Sequence, residues 1–138
     1  MSRFPRFLSA ALLCAALLPA HADIPQNSDT QCFFVSAKGK PGKLRPCRAE
    51  AASSAPRPNL PDTRFVSYQI GRRSYTFTAD YDSASQSWQP SYRGGRLDIY
   101  YRNPSRRRLM RENETARYVC YRTHDVHLCA VRQPAPYW

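Results

Sequence analysis

Two groups of side chains in this sequence have the types and spacing that chemistry requires. His124, Asp125 and His127 stand close together near the C-terminal end. Two imidazoles can share acid and base work on a phosphate ester, and with a carboxylate they can hold a metal ion. The second group is cationic and aromatic: Tyr92-Arg93-Gly94-Gly95-Arg96, Tyr100-Tyr101-Arg102, Arg106-Arg107-Arg108 and Arg111. Guanidinium forks pair with phosphate, sulfate or carboxylate groups, while phenol faces stack on sugars, bases or other guanidiniums.

The elements that must position these groups read as strands. Phe65, Ser67 and Gln69 alternate with Val66, Tyr68 and Ile70, Gly71-Arg72-Arg73 reverses the chain, and Tyr75, Phe77 and Ala79 align on the return. That is a β-hairpin with one apolar face. Residues 80–87 read as a polar loop with Trp88 anchoring its far side, and 96–102 alternate again before Asn103-Pro104-Ser105 turns the chain. Residues 106–114 lean to strand, and 117–122 with 126–132 form a last hairpin. The expected body is a mainly β domain of about five to seven antiparallel strands, closed or packed on itself as a barrel or sandwich. In such a hairpin His124 occupies the turn and His127 a strand, so the imidazoles need not converge, and nothing nearby supplies a nucleophile or third ligand. The expectation is no catalytic residue, no metal and no cofactor. Arg93, Arg96, Tyr100, Arg102, Arg106, Arg107, Arg108 and Arg111, by contrast, can make a stripe across neighbouring strands that faces a polyanion, or simply a solvated basic face.

The N-terminal end is a different kind of sequence. Arg3 and Arg6 precede the apolar run Phe7 to Leu18, Pro19 breaks it, and Ala20-His21-Ala22 places small residues where a signal peptidase cuts. Residues 1–22 read as a cleavable signal peptide, too short in its apolar run to span a bilayer, which needs about 20 such residues. Cleavage removes two of the 21 basic residues and none of the 10 acidic ones, so the charge falls from +11 to +9. It also removes Cys14, leaving Cys32, Cys47, Cys120 and Cys129, an even set in a chain bound for an oxidising compartment.

Hairpin parity favours sequential pairing of these cysteines over the crossed alternatives. With His124 and Asp125 as a two-residue loop, Arg122 faces His127 and Cys120 faces Cys129, and Cys32 comes opposite Cys47 if their turn centres on Gly39 and Lys40. No Cys-x-x-Cys spacing points to zinc. Upstream of the body, residues 23–30 read as a disordered leader, 31–49 as a disulfide hairpin, and 50–62, with three prolines, as an exposed linker to a β domain over 63–133. Residues 134–138 form a proline-interrupted tail. The segment Val66 to Asp82, Val-Ser-Tyr-Gln-Ile-Gly-Arg-Arg-Ser-Tyr-Thr-Phe-Thr-Ala-Asp-Tyr-Asp, is similar to a terminal hairpin of small glycine-zipper outer-membrane lipoproteins, without their lipidation signal or zipper, and carries no site with it.

The functional expectation is a periplasmic or secreted, noncatalytic binding module whose partner is an anionic envelope polymer or an acidic protein. No transmembrane segment is expected after signal cleavage. The alternatives are an inhibitor or immunity protein of a secreted enzyme, and a small hydrolase using His124 and His127.

Overall fold

The computed structural model describes residues 26–54 and 58–133. Residues 1–22, expected as a signal peptide, and 134–138, expected as a tail, lie outside the described residues. Among the described residues nine strands form: β1 (Gln26–Phe34), β2 (Arg45–Ser53), β3 (Thr63–Ile70), β4 (Arg73–Asp82) and β5 (Ser87–Tyr92), then β6 (Gly95–Arg96), β7 (Asp98–Arg102), β8 (Tyr118–Arg122) and β9 (His127–Val131). All pair antiparallel in one sheet with the order β6-β5-β4-β3-β2-β1-β9-β8-β7.

That order forces the sheet to curl. Its two edge strands, β6 and β7, are separated in sequence by Leu97 alone, so the edges must meet and the sheet becomes a nearly closed barrel. β6 and β7 act as one strand that changes neighbour partway, from β5 to β8. The first and last strands close the ring through Cys32↔Ala130, Phe33↔Cys129 and Phe34↔Leu128.

Period-two alternation sorts the side chains into two clusters. The inner face carries Cys32, Cys47, Ala49, Ala51, Val66, Tyr68, Phe77, Tyr92, Leu97, Val119, Tyr121, Leu128 and Ala130. Aromatic rings fill the centre. Phe77 stacks on Tyr121 with centroids 4.3 Å apart, and the Tyr68 and Tyr121 hydroxyls share a buried hydrogen bond of 3.0 Å. Burial holds the Tyr121 phenol well above its ordinary pKa, with Tyr68 adding to the effect. The barrel is therefore a packed core and not a pore.

A second cluster lies on the outer face of β1, β9, β8 and β7, where Phe33, Val35, Tyr100 and Tyr118 surround the Cys120–Cys129 disulfide. An outward apolar face needs a cover, and two connections supply it. Residues 36–44 lean over the sheet from one side, and the arm formed by 103–117 comes from the other. Arg106 joins them, donating from Nη1 to the Gly42 carbonyl at 2.6 Å. Gly42 permits the close approach, because a Cβ there would sit 3.0 Å from the Phe34 carbonyl oxygen.

Several expectations are corrected by this architecture. Nine strands form, where five to seven were expected. Residues 26–30, expected as disordered leader, belong to β1, and residues 50–53, expected as linker, continue β2. The disulfide hairpin is thus part of the same sheet as residues 63–133. Asp80–Asp82 and Ser87 are strand residues flanking a shorter turn. Residues 106–114 make only a single bridge, Arg102↔Arg108, because Arg106 takes a left-handed φ of 62° that bends the arm away from any ladder. Both disulfides pair sequentially, the alternative that parity favoured. Cys120 faces Cys129 directly with Cα atoms 4.0 Å apart, whereas Cys32 pairs in register with Arg45 and reaches Cys47 diagonally across 5.9 Å. The register is thus offset by two residues from the one expected, with Cys47 opposite Thr30.

Candidate anion-binding cleft

Strand alternation gathers charge at one end of the barrel. The connections after β1, β3, β5 and β8 all emerge there, and residues 35–44, 71–72, 93–94 and 123–126 bring Lys38, Lys40, Lys43, Arg72 and Arg93 against one acid, Asp125. Each turn follows from its sequence. Arg93 and Gly94 both have positive φ, the backbone of a tight two-residue hairpin turn. Thr123 accepts from the Val126 and Asp125 amides through its hydroxyl, while its own amide donates to the Val126 carbonyl at 2.7 Å. The hairpin tip is thereby stiffened.

Between this tip, the 36–44 loop and the arm lies a cleft of about 800 Å³. Arg102, Arg107, Arg108 and Arg122 line it together with Tyr100 and His127. Tyr100 is held on every side. Arg102 donates to its hydroxyl oxygen from Nε at 3.1 Å and from Nη2 at 2.9 Å, and the Arg108 guanidinium covers its ring at 4.4 Å. With those donors in place, the hydroxyl gives its own proton to His127 Nε2, 2.5 Å away. His127 must therefore carry its proton on Nδ1 and stay neutral.

The electrostatics agree. Desolvation, then Arg102, Arg122 and Arg108, lower the His127 pKa from 6.5 to about 4. An unfolded chain takes up this proton near pH 6.5 and the folded protein only near 4, so in that window the unfolded state binds more protons and acid favours it. Urea midpoints measured from pH 7.5 downward should fall below pH 6.5, and the fall should flatten in His127→Gln. A pH profile identical in the two proteins contradicts this placement of the proton.

Arg102 is the unusual member. It is only 6% exposed, and its partners are neutral: the Tyr100 hydroxyl, the Arg106 carbonyl at 2.7 Å and the Gly39 carbonyl at 3.5 Å. Among the described residues no carboxylate forms an ion pair with Arg102, Arg107, Arg108 or Arg122; the ion pairs present are Arg96–Asp98 and Arg132–Glu112. A buried cation ordinarily has a counter-charge. Here further cations surround it.

Of the eight residues expected from sequence to contact a partner, the structure brings Tyr100, Arg102, Arg107 and Arg108 together in this cleft. Arg93 and Arg96 line a neighbouring depression that shares Arg122, Thr123, His124 and Asp125 with it, so they extend the basic surface across the hairpin tip. Arg106 serves as a strut through Gly42 and the Phe33 ring, and Arg111 is exposed on the arm away from the cleft lining. Arg122 and the loop residues Ser36, Ala37 and Gly39 were not foreseen. The signal for Arg122 was present, since the hairpin register sets it directly across from His127. His124 and His127 both line the cleft, but His127 is committed to Tyr100, and Asp125 accepts from the Thr123 hydroxyl. Among the described residues no group of three or more His, Cys, Asp or Glu converges as a metal site. No helix among them is long and apolar enough to cross a membrane.

The chain matches no protein-family model, and neither curated proteins nor solved structures show a match to it. What fold and site define is a small disulfide-bonded β-barrel, of a kind consistent with folding in an oxidising compartment.

Proposed function

We propose that this is an exported, noncatalytic binding protein whose arginine-lined cleft holds the anionic groups of an envelope polymer or of an acidic protein. The observation that carries the reading is the buried, uncompensated Arg102 with Arg107, Arg108 and Arg122 beside it. Such a cluster is stabilised when a phosphate, sulfate or carboxylate enters, because the ligand supplies the counter-charge that the fold omits. The engagement of His127 by Tyr100 supports a binding role over a hydrolytic one, since that imidazole is not presented as a free base.

Binding to heparin and to a DNA duplex, as model polyanions, should weaken steeply with salt. On the duplex, the slope of log affinity against log salt should shrink by about 0.9 for each guanidinium removed in Arg107→Ser, Arg108→Ser and Arg122→Ser, while Arg111→Ser changes little. Salt-insensitive binding, or a triple variant that binds as the parent does, would sink the proposal.

The stiffened tip at 123–126, braced by Cys120–Cys129 three residues behind it, also favours a second reading: an inhibitor or immunity protein that inserts this tip into an acidic secreted enzyme. Affinity capture separates the two. A single stoichiometric protein partner supports insertion, and a heterogeneous polyanion supports the first reading.

A further inference from the structure

The barrel is open along one line, and a proline is the cause. Tyr92 and Gly95 flank the tight turn and Ser91 pairs with Arg96, but there the ladder between β5 and its neighbour stops. In a two-residue hairpin the flanking pair is hydrogen-bonded, the next is not, and the third is again. That third position sets Pro90 opposite Leu97, and proline has no N–H to give. From Ser87 to Pro90, β5 pairs only with β4, and β7 finds its ladder with β8 on its other side.

The resulting seam holds a cavity of about 270 Å³ lined by Arg64, Ala79, Trp88, Pro90, Ile99 and Tyr101. Five of these are apolar or aromatic. Arg64 is the one charge, stacked on the Trp88 indole with its guanidinium carbon 3.9 Å from the ring centroid, and no carboxylate among the described residues forms an ion pair with it.

We propose that this seam is a binding site for a small amphipathic anion, a carboxylate carried on a single aromatic ring or a short branched chain. Size sets the first limit, because the cavity falls below the roughly 300–1,000 Å³ of pockets that take drug-sized ligands. Shape sets the second. Leu97 joins β6 to β7 and closes the seam at that end, so it is a pocket, and an extended peptide cannot run through it. Chemistry sets the third: a guanidinium stacked by its face keeps its N–H edge free for a bidentate carboxylate, while Trp88, Ile99 and Tyr101 accept the apolar body. The site uses none of the cleft arginines and stands or falls apart from them.

Phenylacetate and its neutral analogue phenylacetamide provide the test. In a Trp138→Phe background the fluorescence reports on Trp88 alone, since the chain has two tryptophans. Phenylacetate should give a saturable change, and phenylacetamide should bind about tenfold more weakly. Arg64→Gln should erase that difference by weakening the carboxylate about tenfold. Pro90→Val restores the missing donor, should extend the ladder to Leu97, and should abolish binding of both compounds. The Arg107→Ser, Arg108→Ser, Arg122→Ser triple variant should bind phenylacetate as the parent does, which separates this site from the cleft. The proposal is overturned if the parent shows no saturable response, if acid and amide bind equally, or if Arg64→Gln leaves phenylacetate affinity unchanged.

Discussion

Phe77→Ala is expected to lower the stability of the barrel by about 3–5 kcal/mol, the range for deleting a buried aromatic ring. Phe77 has no exposed surface, stacks on Tyr121 in nearly parallel planes, and also touches the rings of Tyr68 and Tyr92. Its neighbours come from β3, β5 and β8, so they cannot collapse together into the vacated space without moving three separate strands. The cavity persists, and its cost adds to the lost burial. Urea unfolding followed by far-UV circular dichroism should show the midpoint falling with the slope unchanged. A loss under 1 kcal/mol would mean that the ring is not at the centre of the core.

Removing Cys32–Cys47 should cost about 3 kcal/mol, and more than removing Cys120–Cys129. The chain separations are 15 and 9 residues, and chain entropy alone favours the longer closure only slightly. Position widens the gap. Cys120 and Cys129 face each other across a hairpin whose tip is already fixed by Thr123, so the unfolded chain finds that pairing cheaply. Cys32–Cys47 lies inside the barrel and ties β1, the strand that closes the ring, to β2 across the longer 35–44 connection. Comparing Cys32→Ala/Cys47→Ala with Cys120→Ala/Cys129→Ala by thermal unfolding checks the order. Equal losses, or the reverse order, contradict the argument.

How far the sequence discloses this fold depends on which residues carry the pattern. The β3–β4 hairpin is legible because Val66, Tyr68, Phe77 and Ala79 are large or apolar at every second position, and the structure pairs Val66 with Phe77 and Tyr68 with Tyr75 around a Gly71-Arg72 turn. The β8–β9 hairpin is legible because cysteine parity fixes its register. The first half of β1 alternates just as regularly, with Asn27 and Asp29 exposed and Ser28 and Thr30 partly buried, but its inward residues are small and polar. Hydrophobic periodicity is blind to that. Ala51 hides the end of β2 in the same way, since Ala51-Ala52-Ser53-Ser54 runs into the prolines and reads with them as linker, while the barrel requires a slender side chain there. The cleft was half legible: arginines cluster in sequence, but the left-handed Arg106 that folds the arm back, and the loop carbonyls that Arg102 and Arg106 seek, are tertiary facts.

The clasp between β1 and β9 has a consequence for timing. A chain is made, and threaded anywhere, from its N-terminal end, yet the partners of Cys32, Phe33 and Phe34 lie nearly a hundred residues downstream at Leu128 to Ala130. Until that final stretch arrives, β1 offers a bare edge of the kind that recruits strands from other chains. The sheet must remain an unfinished ribbon for almost the whole of its synthesis. Chains interrupted a few residues short should therefore clump rather than fold partway, which makes the last strand the proofreader of the entire barrel.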